Sequence, residues 1–219
     1  LRFAREAAQL GGTVLILALV PGGVAKTLAF LVWWALTLGR LAAWEAVLFA
    51  FSCVFFTIMD IAAVRNGVFA FAEPDFAGLP LWEVFLWGFY IVHGLRVLGH
   101  EVPKQPLLLP ATITVLYCAA FATIQDDWVL LAASGGLLAV ALAFFHDRAD
   151  LRSVAYFVLM GAIVEYTGVL SGQWSYPAPP AGGVALWFVT LWGGVGLLLR
   201  RLVLPVIARL GLMNSAPAR

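Results

Sequence analysis

The chain has 219 residues, of which 63% are hydrophobic and 11% charged, with a mean hydropathy of +0.97. That leaves too little polar surface to cover a water-soluble globule, so an integral membrane protein is expected, with membrane lipid as its first partner. A net charge of +1 without a basic patch excludes nucleic acid as a partner.

A helix needs about 20 apolar residues to span a bilayer, and in lipid it satisfies its own backbone groups. In chain order the apolar runs are Ala7 to Val20, Val24 to Gly39, Leu41 to Val64, Pro80 to Leu98, Leu107 to Ile124, Trp128 to Phe145, Leu151 to Leu170 and Ala185 to Val203. The first, which ends at Pro21-Gly22-Gly23, is read as a span rather than a processed leader. It and the short second run are also the two that tilted or re-entrant geometry would suit. With the N-terminus inside, eleven basic residues (Arg2, Arg5, Arg40, Arg96, Lys104, Arg148, Arg152, Arg200, Arg201, Arg209 and Arg219) fall on the inner side. Only Lys26 and Arg65 fall outside. The fold class expected is therefore all-α integral membrane, with about eight transmembrane helices and both termini in the cytoplasm, in a bacterial inner membrane.

The stretch from Asp60 to Leu98 recurs at a fixed offset of 105 residues, from Glu165 to Val203. Gly67 meets Gly172, Pro74 meets Pro179, Gly78 meets Gly183, Leu81-Trp82 meets Leu186-Trp187, Trp87-Gly88 meets Trp192-Gly193, and Arg96 meets Arg201. Asp60 pairs with Glu165, Phe69 with Trp174 and Phe71 with Tyr176 by type. This argues for two tandem four-helix repeats of the same orientation, residues 1–104 and 105–219, with both aromatic loops on the outer side.

Ionisable groups at membrane depth are costly and mark function by default. Asp60 and Glu165 close equivalent spans and Glu83 opens the next, so the three carboxyls can gather near one interface; the bland alternative is that they anchor helix ends at the headgroups. Glu45, beside Trp44 and Arg40, reads as an interfacial anchor. His93 reads as a packed, hydrogen-bonded histidine. Trp82, Trp87, Trp174, Tyr176, Trp187 and Trp192 stand near the carboxyls, either as interfacial belt or as the wall of a slot for a flat lipid. Cys53 and Cys118 lie in apolar runs, where a disulfide is not expected. No phosphate loop, dinucleotide fingerprint or zinc spacing occurs, so no cofactor and no metal is expected.

The run of Asp60, then NGVFAF, then GLPLWE before an aromatic-rich span resembles the lycopene cyclase domain of the heterodimeric bacterial and fungal type. The second repeat, EYTGVLSGQWSYP, is similar to membrane carotenoid-biosynthesis proteins such as the bisanhydrobacterioruberin hydratase group. The resemblance implies a pair of similar small membrane domains and acid-catalysed ring closure of a linear carotenoid or isoprenoid end group. It also implies Glu83 as the proton donor, helped by Asp60 and Glu165. The other reading is a non-enzymatic membrane subunit that binds a pigment or lipid, or helps assemble a larger membrane complex.

Overall fold

The computed structural model describes residues 2–215 except 178, 180 and 181; Arg219, one of the basic residues assigned inward, lies outside these. The helices are α1 (Arg2–Leu19), α2 (Gly23–Leu38), α3 (Ala43–Arg65), α4 (Glu83–Leu98), α5 (Leu108–Thr123), α6 (Asp127–Phe144), α7 (Arg148–Leu170), α8 (Phe188–Leu198) and α9 (Leu204–Arg209). Two short strands, β1 (Ala70–Phe71) and β2 (Trp174–Ser175), lie in the aromatic loops.

Each long hairpin is fastened at its arginine end in the same manner. The Glu45 carboxylate accepts the Ala42 N–H at 2.8 Å, capping the start of α3, and both Nε and Nη2 of Arg96 donate to it at 2.7 Å from the end of α4. One offset later, Asp147 accepts the N–H groups of Ala149 and Asp150 at 2.8 Å, while Asp150 accepts the Asp147 N–H at 3.1 Å. The Nε of Arg201 donates to Asp150 at 2.7 Å. These are charge-assisted bonds on helix N-termini, where an anion also meets the favourable end of the dipole.

The far ends match as well. The φ angles of Gly67 and Gly172 are 73° and 71°, which a side chain would oppose. There Val68 N–H reaches Ala63 O at 3.0 Å and Gln173 N–H reaches Gly168 O at 2.8 Å, the six-to-one bond that closes a helix C-terminus. The two loops then meet, with β1 pairing antiparallel to β2 and Phe71 opposite Trp174. After α8 the chain widens into a π turn over Leu199–Val203 before α9. Pro205 has no N–H for the Arg201 carbonyl, and the side chain of Gln105 supplies one at 2.5 Å.

The expectation of eight crossings in two four-helix repeats is corrected. Four helices among the described residues are both long and apolar enough to cross a membrane: α3, α6, α7 and the continuous rod Phe188–Arg209. At 1.5 Å per residue, α2 and α5, 16 residues each, span about 24 Å against about 30 Å of hydrocarbon. Every residue of α4 from Leu86 to Leu95 is buried, so its apolarity serves protein packing. In α1 the first half carries Arg5, Glu6 and Gln9. The four long apolar rods make the chain an integral membrane protein.

A buried polar chain holds α1 in place. The Nδ1 of His93 pairs with Gln9 and its Nε2 with the Tyr156 hydroxyl, both at 2.7 Å, joining α1, α4 and α7. Trp34 of α2 donates to Thr13 of α1 at 3.0 Å.

Candidate functional site

Beneath the paired loops is a cavity of about 50 Å³ that brings together the three carboxyls from three helices. Asp60 comes from the last turns of α3, Glu83 from the first turn of α4 and Glu165 from α7. Trp87 and Tyr90 follow Glu83 at spacings of four and seven, on the same face of α4. Trp174, Tyr176, Trp187 and Trp192 complete the aromatic wall. Of the nine residues proposed from sequence, Trp82 alone is not part of that wall. Its ring lies 5.7 Å from Phe71 and under the Lys26 ammonium at 5.1 Å, facing a separate polar cavity of about 270 Å³ beside Gln173.

The carboxyls are not equivalent. Glu165 has a donor on each oxygen: Trp192 donates to Oε1 at 3.0 Å, and Trp174 and Tyr176 donate to Oε2 at 3.1 and 2.6 Å. Two of these rings lie flat against α7 because a Cβ on Gly161 or Gly168 would come within 2.2 Å of Trp192 or 2.0 Å of Trp174. Asp60 accepts one bond, from the Trp87 indole at 3.1 Å. Trp87 and Trp192 stack at 4.8 Å across the middle, so the two equivalent indole–carboxyl pairs face each other. Glu83 is 8% exposed and Tyr90 2%; among the described residues, the Glu83 carboxyl takes no hydrogen bond and the Tyr90 hydroxyl has no partner.

Sequence reasoning missed Tyr90, although its spacing from Glu83 and Trp87 on α4 carried the signal. It also missed a groove of about 180 Å³ that continues from the cavity between α3, α5 and α8. Asp60, Phe69, Trp87 and Trp187 line both spaces. The groove's far wall comprises Thr114, Tyr117 and Cys118 of α5 and Gly194 and Leu198 of the α8 rod, and Phe51 at its mouth is 54% exposed. An apolar groove wall has the same composition as a core, so no residue type announces it.

No family model matches the chain, and no curated protein matches it. Solved structures do. The crystal structure of a mycobacterial Insig homologue, MvINS from Mycobacterium vanbaalenii, superposes with a TM-score of 0.62 at 19% identity, covering 82% of this chain and all of that one. A cross-linked trimer of a cysteine variant of MvINS gives 0.65 at 18% identity with the same coverage. The chain shares its fold with an Insig homologue. This overturns the lycopene cyclase resemblance: the GLPLWE and EYTGV runs are turn and helix-end chemistry of an Insig-like bundle. The reading as a carotenoid-cyclising isomerase, with Glu83 as its proton donor, falls with the resemblance that carried it.

Proposed function

We propose that this chain is a non-enzymatic membrane protein that binds one lipid, with its hydrocarbon chain in the α3–α5–α8 groove and its polar end in the adjoining chamber, at Asp60 and Glu83. The observation that carries this is the continuity of an apolar groove, open at Phe51 toward the bilayer, with a carboxyl-lined chamber at its inner end. A pocket that is mostly apolar with a few convergent polar groups is the usual form of a small-molecule site. An anionic headgroup is disfavoured by the three carboxyls. Trp87, Trp174, Tyr176, Trp187 and Trp192 serve in this reading as the rigid wall that shapes the chamber.

The arrangement is read as two repeats, residues 1–104 and 105–219, that meet at the β1–β2 pairing. Arg40, Arg96, Arg148 and Arg201 gather at one end of the bundle, so that end is placed in the cytoplasm of a bacterial cell together with both termini. Native mass spectrometry of the protein purified from its membrane tests the binding. One retained lipid per chain is expected, and its fragmentation shows whether the tail is acyl or isoprenoid. Thr114→Phe fills the groove and should remove it, whereas Val140→Phe, on an exposed face of α6, should not. Retention by the filled variant would refute the assignment.

A further inference from the structure

We infer that the head of the bound amphiphile is a primary ammonium, held between Asp60, Glu83 and Tyr90. This rests on the lipid reading above and adds the chemical class. Both oxygens of Glu165 are taken by donors that have no other use, since an indole N–H can only donate. Asp60 spends one oxygen on Trp87 and leaves Oδ1 without a described partner. Among the described residues, Glu83, which lines the chamber, has no hydrogen-bond partner on either oxygen, and the buried Tyr90 hydroxyl has none. Three groups with acceptor capacity therefore face one chamber, and an alkylammonium carries three N–H donors.

Charge points the same way. Among the described residues no Lys, Arg or His lines either the chamber or the groove, so the carboxyls meet no counter-charge there. In a setting of low dielectric an uncompensated carboxylate is costly, and a bound cation offsets that cost with charge-assisted bonds. Aromatic faces on several sides add a further attraction for a cation. A bare metal ion fits less well, because the described residues contain no group of three His, Cys, Asp or Glu side chains arranged to hold one. An alcohol brings one donor and no charge. A phosphocholine fits less well too, because its quaternary ammonium has no N–H to donate and its phosphate would meet the carboxyls.

The test compares hexadecylamine with hexadecanol, which have the same chain and different heads, by titrating each into the purified protein and reading occupancy by native mass spectrometry. The amine should occupy the site at about tenfold lower concentration or less, and Glu83→Gln or Asp60→Asn should bring it to the level of the alcohol. Glu101→Gln, exposed and remote, should change nothing. Equal binding of amine and alcohol, or amine binding indifferent to Glu83→Gln and Asp60→Asn, overturns the ammonium assignment while leaving the groove. Binding of neither overturns the groove itself. Should Asp60→Asn fail to fold, Tyr90→Phe, which loses only a hydroxyl, is expected to weaken the amine and keep the alcohol.

Discussion

Glu165 shows how a carboxyl can be at once buried and settled. Two indoles and a phenol converge on it, and a glutamine there would turn an amide N–H₂ toward at least one of those donors. Leaving a buried donor unmet costs about 1–3 kcal/mol, so Glu165→Gln should lower the midpoint of thermal unfolding in detergent measurably. Tyr176→Phe removes one donor and strands nothing, and should cost about 1 kcal/mol. Equal losses in the two variants would argue against this hydrogen-bond arrangement. The sequence made the convergence of Asp60, Glu83 and Glu165 legible because the 105-residue offset placed two of them at equivalent helix ends. It misplaced Trp82, whose counterpart Trp187 does line the chamber. The difference is Lys26, which reaches Trp82 from α2, a long-range contact that spacing along the chain does not encode.

The helix ends carry the next level of order. Glu45 is not a free interfacial anchor but one half of a two-pronged pair with Arg96, repeated by Asp150 with Arg201. Beside the second pair, slight burial raises the Asp147 carboxyl, but the N–H groups of Asp150 and Ala149 and the charges of Arg200 and Arg201 outweigh it and hold the group below the usual value of 3.8. A lowered value means the contribution is present at neutral pH, above the unfolded-state value, and is lost as pH falls through the folded-state value. The start of α7 should therefore loosen in acid below about pH 4, and Asp147→Asn should abolish that acid limb; amide hydrogen exchange at residues 149–152 reads it. For α1, His93→Leu strands Gln9 and Tyr156 in the interior and should cost about 2 kcal/mol, seen as faster exchange in α1 than in α6. Unchanged exchange would mean that apolar packing alone seats α1. Helix positions were readable from apolar runs, but the number of crossings was not. Hydropathy scores α4 as a span, yet protein covers it from Leu86 to Leu95, and a sequence does not say which solvent an apolar face meets.

At the scale of the molecule, α6 is a full-length apolar rod with Gln125 at one end and His146 at the other. A membrane-impermeant thiol reagent should label His146→Cys only from the cytoplasmic side and Gln125→Cys only from outside. Reversed labelling would invert the proposed orientation. Native Cys53 and Cys118, both held among the helices that line the groove, should stay unlabelled in intact membranes. The fold itself, shared with an Insig homologue at under a fifth identity, was beyond reach of the residues, because a bundle of this kind is specified by which apolar faces pack rather than by a motif.

Among the described residues the groove lies on one flank of the bundle, lined by α3, α5 and the α8 rod. The 105-residue offset carries Ser52, Thr114 and Gly194, all small and all in its wall, onto Phe157, Gln9 and Phe89, and there the space is filled by rings and by the Gln9–His93–Tyr156 chain. If the groove holds a lipid as proposed, its exchange with the bilayer would run through the face shared by α3 and α5. A neighbouring molecule leaning on that face would act as a stopper, sealing a ligand in or keeping it out without touching a single residue of the carboxyl chamber, whereas the same neighbour on the α1–α7 flank would leave exchange unaffected. Company in the membrane, more than any motion inside the bundle, would then set how long a ligand stays.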